Sequence, residues 1–449
     1  MSAAALGAVT AVLARHAPIR RVLVGFSGGP DSTGLLALLA DHRANLDFAL
    51  EAVHVNHALH PSAIDWEHHC RHTCDRLAVP LRVLRVQVSR RGEGLEAAAR
   101  RARYHAIAKL LTRDDVVVTG HTRDDQAETV LLQLLRGSGP RGLAAMPECR
   151  PLGAGRLLRP LLSVPRTAIC ELVQACGLEV VQDPSNQDPA LARAWVRSQL
   201  LPLLRTRWPA SIATLARSAR LCRESMELLD QLGREDLEAC RQGETLSVEA
   251  LVSLPQARAR LLLRTWISWR GALVPSEDHI ERMLWEVARA RCDARPVVAW
   301  THWEVRRHQG YLHLLRALPA PPPRDFSIEL HPGEWVALPD GAVVRLRPAG
   351  ADEPLALALD VLSQGAAQVT LRRQGDRLRP DRLRPRRRLK ELLRELGVPP
   401  WWRDRMPILR VEGRPVALPG LLVEAAFRPA AGADALVFEW QCPGPSDNL

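Results

Sequence analysis

The chain has 449 residues, about three times the usual domain size, so two or three cores are expected rather than one. Hydrophobic residues at 47% and charged residues at 25% exclude a wholly disordered or fibrous chain. The 61 basic residues outnumber 50 acidic ones, a formal charge of +11, and the sequence pI near 9.9 favours a polyanionic partner, nucleic acid first.

The opening MSAAALGAVTAVLARHAPIRR has no charged segment ahead of its apolar stretch, and no run of about 18 apolar residues occurs after it. Neither export nor a membrane span is expected. Nine cysteines without a C-x-x-C pair support neither a disulfide framework nor a zinc ribbon, which fits a reducing cytoplasm. Strands are expected at Arg21 to Phe26, Leu50 to Asn56, Leu81 to Val88 and Asp115 to Gly120. The helices between them include Asp31 to Asp41 and Leu95 to Leu111. This alternation reads as a parallel sheet covered by helices, so residues 1–208 form an α/β domain. In residues 209–318, alanine, leucine and arginine recur at three- and four-residue spacing and predict a helical domain. Pro319, Pro321, Pro322 and Pro323 then mark a boundary. Residues 319–366 read as a linker with a short β segment and a hairpin signal at Asp340 and Gly341. Residues 367–449 read as a small α+β domain with one basic helix.

The strongest local signal is RVLVGFSGGPDSTGLLALLA, where an apolar strand runs into Ser27, Gly28, Gly29, Pro30, Asp31 and Ser32 before a helix. Two glycines let the backbone approach an anion, and the next helix begins with unpaired N–H groups at a positive dipole end. The two serines add hydroxyl donors. No lysine comes after them, so this is not a Walker loop. Asp31 is a poor neighbour for phosphate unless a divalent cation lies between them, which implies Mg2+. The segment resembles the PP-loop, S-G-G-x-D-S, of ATP pyrophosphatases. That resemblance implies an adenine nucleotide alpha hydrolase-like fold and cleavage of ATP between its α and β phosphates, with AMP passed to a carbonyl oxygen.

A second block, VVVTGHTRDDQAETVLLQLLRGSG, places His121, Asp124, Asp125 and Glu128 where a strand ends and a helix begins. Ligands of open α/β sheets lie at such strand ends, and Asp125 and Glu128 are three apart, so both can face one site. The plain alternative is a helix cap, with Asp124 or Asp125 as the cap and Glu128 completing a capping-box-like arrangement. The block resembles the G-H-x-x-D-D-x-x-E-T segment of tRNA(Ile)-lysidine synthetases. Further agreement lies in AVHVNHALH, in EAAARRARY ending at Tyr104, in LLRPLLSVPR at Leu157 to Arg166, and in DPSNQDPALARAWVRSQLLP at Asp183 to Pro202. GDRLRP, LKELLRELGVPPWWRDRMPIL and ALPGLLVE near the other end also agree. The family's R-N-x-I-R is replaced by Arg193, Ala194, Trp195, Val196 and Arg197, so its asparagine is missing.

The resemblance implies an ATP-dependent ligase that joins L-lysine to C2 of the first-anticodon cytidine of tRNA(Ile) carrying a CAU anticodon. The reaction passes through an adenylated tRNA and switches decoding to AUA. Ser27 to Ser32 would hold the phosphates. Asp31 with Asp125 or Glu128 would bind Mg2+, leaving the other acid to orient or deprotonate the lysine amine; the sequence does not allocate the two. Arg103 and Arg197 match family arginines and would steady phosphoryl charge or grip the nucleotide, against the ordinary reading of solvated helix faces. His121 either supports ATP or caps its helix, and His54, with His57 nearby, either touches adenine or packs in the core. His68, His69, Cys70, His72 and Cys74 fall all around one helical stretch without a distant partner pair, which argues against a zinc site.

Between Leu371 and Pro400, eleven basic residues face four acidic ones. Arg386, Arg387 and Arg388, with Trp401 and Trp402 after them, are therefore expected to hold RNA backbone and stack bases. Two other readings stand beside the ligase: a PP-loop enzyme that adds sulfur to tRNA, and a noncatalytic tRNA-binding protein. The oligomeric state, a homodimer included, stays open.

Overall fold

Short runs of valine and leucine, buried on both faces, build the first sheet. The computed structural model describes residues 2–45, 47–89, 94–183, 188, 190–291, 294–350, 353–430 and 432–442. By internal contacts the chain forms two units, 1–229 and 230–449.

In the first unit the chain runs α1 (Ser2–Arg15), β1 (Arg21–Gly25), α2 (Pro30–Asp41), β2 (Ala49–Asn56), α3 (Ala63–Arg76), β3 (Leu81–Arg85), α4 (Leu95–Ala108) and β4 (Asp115–Val118). It continues through α5 (Arg123–Leu135), α6 (Pro140–Leu143), β5 (Cys149–Leu152), β6 (Gly155–Leu158) and α7 (Arg166–Ala175). It ends with α8 (Ala192–Trp195), α9 (Leu201–Arg207) and the start of α10 (Ser211–Cys240). The four expected strands and both expected helices are present, each within a few residues of its expected ends. The sheet order is β3-β2-β1-β4-β6-β5. All neighbours are parallel except the β5–β6 hairpin.

Alternation along β1 and β4 divides the core in two. Val22, Val24, Val116 and Val118 pack with α1, α2, α3 and α7 residues such as Val9, Leu36, Cys70 and Ile169. Leu23 and Val117 pack on the other face with Val53, Ile107 and Leu157. Strands covered on both faces read as continuous apolar runs, which is why they stand out in the sequence. The β5–β6 hairpin is an addition to the expected strands. Each of its strands is four residues long, and together they carry Pro151 and two arginines, which hides the β pattern.

The second unit begins within α10. Helices Val248–Ser253, Gln256–Trp269 and Glu277–Arg282 come next, and Trp266, Met283 and Val287 lie at 0% exposure in their core. A five-stranded sheet also belongs here, ordered Arg241–Gln242, Thr245–Ser247, Tyr311–Arg316, Trp303–His308 and Val297–Trp300. This sheet is an addition to the mostly helical pattern expected over 209–318. Its strands are short and put arginine and histidine between apolar positions, which masks them.

The expected hairpin forms: Val336–Ala337 pairs with Val343–Val344, and Asp340 Oδ1 accepts the Ala342 N–H at 3.2 Å. Strands before residue 367 pair with strands after it, Ser327–Glu329 with Gln368–Thr370 and Val343–Pro348 with Leu436–Gln441. Residues 319–366, expected as a linker with a short β segment, therefore share one core with the C-terminal segment, around Val344, Leu346, Val369, Leu409 and Phe438. The helix expected to be basic is Leu389–Glu395, where Glu391 and Glu395 offset Lys390 and Arg394, so the arginine excess lies ahead of it. Among the described residues, no helix is long and apolar enough to cross a membrane.

Candidate active site

The chain leaves β1 toward β2 on one side and later places β4 on the other, so the strand order reverses between β1 and β4. That reversal opens a crevice beyond their carboxyl ends, where ligands of open α/β sheets bind. The turn after β1 and the start of α2 carry Ser27 to Ser32, and the turn after β4 and the start of α5 carry His121 to Asp125. The sheet thus brings the two sequence motifs to one place.

The first loop is tightly specified. Gly28 has φ +78°, and a Cβ there would lie 2.9 Å from Val181 Cγ2, so only glycine fits. Its carbonyl accepts the Val181 N–H at 2.8 Å. Gly29 caps α2 and Pro30 opens its first turn, where a missing N–H costs nothing. Ser32 Oγ accepts the Ser27 N–H at 3.2 Å, donates to the Gly29 carbonyl at 3.1 Å, and lies 3.1 Å from Ser27 Oγ. Both hydroxyls help set the loop's shape before any ligand arrives.

The second loop is locked onto the first. A Cβ on Gly120 would fall 2.5 Å from the Asp31 carbonyl oxygen and 2.7 Å from its carbon. Backbone atoms cannot step aside, so Gly120→Ala is expected to cost about 1–3 kcal/mol. It should also cut ATP consumption by about tenfold or more through misplacement of Asp31; denaturant titration and pyrophosphate release measure the two effects.

Thr122 caps α5. Asp125 Oδ2 accepts its N–H at 2.8 Å and its hydroxyl at 3.0 Å, so the capping box joins Thr122 to Asp125. The plain alternative of a cap is thus met in another form, with Thr122 rather than Asp124 or Asp125 as the cap and Asp125 rather than Glu128 completing the box. Asp124 instead accepts the Arg166 backbone N–H at 2.8 Å. Glu128, 1% exposed, lies between two arginines. Arg197 donates Nε–H to Oε1 at 2.6 Å and a terminal N–H to Oε2 at 3.0 Å, and Arg193 donates Nε–H to Oε2 at 3.0 Å. The same Arg197 reaches Asp125 Oδ1 at 3.1 Å.

Asp31 differs from these acids. Arg166 pairs with its Oδ2 at 3.3 Å, but its Oδ1 is buried with no hydrogen-bond partner. Burial pushes its carboxyl up to about 6; Arg166 opposes the rise and Asp125 adds to it. Asp31, Asp125 and Glu128 thus share the crevice, but Asp125 and Glu128 are engaged by Arg197. Among the described residues, no group of three or more histidine, cysteine or carboxylate side chains is arranged to hold a metal ion.

The histidines divide. His54, 6% exposed, donates its Nδ1–H to the Phe26 carbonyl at 3.0 Å and props the end of β1. His121 Nδ1 and the Thr119 hydroxyl hydrogen bond at 2.8 Å, and burial holds its pKa well below the usual range, so it is neutral. Arg103 donates Nε–H to His57 Nε2 at 3.4 Å. Burial lowers His57 to about 4, so it accepts that proton as a neutral ring. The D-P-S-N motif spans 183–186, and all of it after Asp183 lies outside the described residues.

The RNA-facing set changes more. Trp401 and Trp402 are 8% and 6% exposed and sit in a core with Leu392, Leu393 and Met406. Trp402 meets Trp440 edge-on at 5.7 Å. Burial on this scale corrects the expectation that they stack bases. Arg387 pairs with Glu395 at 2.6 Å and Arg386 approaches Glu424 at 3.5 Å, while Arg388 is exposed. Arginine does lie over exposed tryptophan elsewhere, Arg289 on Trp285 at 4.1 Å and Arg345 on Trp335 at 4.5 Å. Sequence reasoning gives no role to Arg166 or Arg193. Arg166 ends the family-like block LLRPLLSVPR, which is the signal that could have found it.

Residues 6–204 match the profile of the PP-loop domain, the class that the sheet and its glycine loop define. Residues 246–313 match the TilS substrate binding domain and residues 367–440 the TilS substrate C-terminal domain. The tRNA(Ile)-lysidine synthase of Methylococcus capsulatus is 40% identical over 412 residues, covering 88% of this chain and 90% of that protein. That of Alkalilimnicola ehrlichii is 42% identical over 430 residues, covering 94% and 95%. That of Pectobacterium atrosepticum is 37% identical over 412 residues, covering 90% of each. The chain belongs to the tRNA(Ile)-lysidine synthase family.

Proposed function

We propose that the protein joins L-lysine to C2 of the first-anticodon cytidine of a tRNA(Ile) with a CAU anticodon, consuming ATP, in the cytoplasm. The observation that carries this reading is the buried, unpartnered Asp31 Oδ1 beneath a phosphate loop, in the same crevice as Asp125 and Glu128. In the first step the cytosine C2 oxygen attacks the α-phosphorus, and the bond to pyrophosphate breaks. In the second, the lysine ε-amine attacks C2, loses a proton, and displaces AMP together with the former C2 oxygen.

A bare carboxylate oxygen suits Mg2+, which is commonly held by one or two carboxylates plus substrate phosphates. Asp31 would hold the ion, which when bound supplies positive charge against the phosphates. Ser27 to Ser32 cradle the phosphate tail through backbone N–H and hydroxyl groups. Glu128 has both oxygens occupied and acts as a positioning residue that aims Arg197 and Arg193. Asp125 has one oxygen in the capping box and the other on Arg197, so it too serves to position the arginine. His121 borders the crevice as a neutral ring, and Arg386 and Arg388 are retained as RNA contacts.

Sulfur transfer is disfavoured by the cysteines beside the loop. Cys70 Sγ would lie 3.3 Å from a Cβ on Gly28, yet burial pushes both the Cys70 and Cys74 thiols up to about 12, far from the reactive thiolate. The test supplies tRNA, ATP and radiolabelled lysine to the full chain. Label entering the tRNA with one pyrophosphate per lysine is the expected result. Pyrophosphate without label points to another acceptor chemistry, and neither product points to a noncatalytic RNA-binding protein.

A further inference from the structure

A cavity of about 180 Å³ in the second unit is lined by Arg295, Arg306, Arg307, Arg405, Trp401 and Asp404, among others. Neither step of the proposed reaction uses it. Behind its walls, out of reach of solvent, lie the unpartnered Trp401 indole N–H and one terminal nitrogen of Arg405, whose nearest carboxylate oxygen, on Asp340, is unpartnered as well. That Arg405 nitrogen lies 3.7 Å from Asp340 Oδ2, and its other terminal nitrogen donates to the Pro319 carbonyl. Arg306 is paired with Glu304 at 2.8 Å, and its guanidinium lies 5.7 Å from the Trp401 ring centroid. Arg307 donates to the Ala288 and Ala290 carbonyls at 2.8 and 2.7 Å. Arg295, 66% exposed, pairs loosely with Asp404 at 4.0 Å, and the other Asp404 oxygen takes Arg372 at 3.3 Å.

Cations are crowded here beyond what the acids offset. Burial and the neighbouring arginines Arg295, Arg394 and Arg372 lower Arg403, with Asp404 opposing. Burial and Arg306 lower Arg405, with Asp340 and Glu304 opposing. Several like charges held around one solvent-open cavity call for an anion from outside. The volume is below the roughly 300 Å³ at which small-molecule pockets begin, so it suits one phosphate group rather than a whole nucleotide.

We propose that this cavity takes a single backbone phosphate of the RNA substrate, with Arg295 as its gripping cation and Arg306, Arg307 and Arg405 supplying the surrounding positive charge. RNA is the source the observations favour, because the strongly basic segment 371–400 contributes Arg372 and Arg394 to the same cluster. The inference rests on the proposed tRNA substrate.

The full chain is titrated with a tRNA transcript bearing a CAU anticodon, without ATP, across a salt series. Arg295→Ala is expected to weaken binding about tenfold at low salt and to lower the slope of log affinity against log salt by about one. Arg295→Lys should keep most of the slope, since the charge is retained. Asp404→Asn removes the competing carboxylate and should tighten binding about two- to threefold, a gain that no misfolded variant produces. Unchanged affinity and slope in both Arg295→Ala and Asp404→Asn would overturn the proposal. Inorganic phosphate raising the melting temperature of the wild type but not of Arg295→Ala, with RNA binding unaltered, would also overturn it and assign the cavity to a free anion. If the wild type itself fails to bind the transcript, it is the proposed function that falls.

Discussion

Asp31→Asn is expected to abolish ATP consumption while making the protein more stable. The folded chain holds the Asp31 proton up to about 6, well above the ordinary carboxyl range, chiefly because burial penalises the charge. The carboxyl therefore favours the folded state most below about pH 4, and that contribution is lost as pH rises through about 6. At pH 7.5 the ionised, partly unpaired group costs about 2–3 kcal/mol, an amount that an uncharged amide of the same shape largely avoids. Denaturant titrations of wild type and variant should differ by about 1–3 kcal/mol at pH 7.5 and converge near pH 4. Pyrophosphate release should fall by about 10³-fold if the carboxylate neutralises phosphate charge through a cation. A variant that keeps its activity, or one equally destabilised at every pH, would remove Asp31 from its assigned role.

The second large effect is expected at Arg197, which binds both Glu128 oxygens and Asp125 Oδ1. Arg197→Ala leaves Glu128, 1% exposed, with Arg193 as its remaining partner, and leaves Asp125 with its capping bonds only. Stripping one partner from a buried pair costs about 3–5 kcal/mol, because the charge left behind is desolvated and uncompensated. Activity should be lost as well, since the remaining acids would pick up protons or rearrange. Adding Glu128→Gln to Arg197→Ala removes the stranded charge, and the double variant should recover about half of the lost stability without recovering activity. A simple sum of the two single effects would show that the arginine and the glutamate do not act as a unit.

The sheet is legible in the sequence where its strands are covered on both faces, as in RVLVG and DVVV, and the loop is legible because Gly28 and Asp31 are each required by a local constraint. The tie between Glu128 and Arg193 and Arg197 is not legible. It spans 65 to 69 residues, and no periodicity reports which arginine of an amphipathic helix faces an acid that far away. The sheet of Val297–Trp300, Trp303–His308 and Tyr311–Arg316 is hidden for a different reason: its polar positions carry arginine and histidine, which fit a helical face equally well. Trp401 and Trp402 mislead because flanking arginines suggest exposure. Burial there is decided by packing against Leu392, Leu393 and Trp440, which the local sequence does not announce.

The register that runs from Arg21 beside Asp115 to Val24 beside Val118 has a consequence for how such an enzyme can vary. That pairing holds both loops of the crevice at equal height. Deleting or inserting one residue in either strand would shift one loop by about 3.3 Å and turn its side chains to the opposite face. Engineered insertions, affinity tags or reporter domains are therefore best sited away from these two segments, whose lengths are as constrained as their residues.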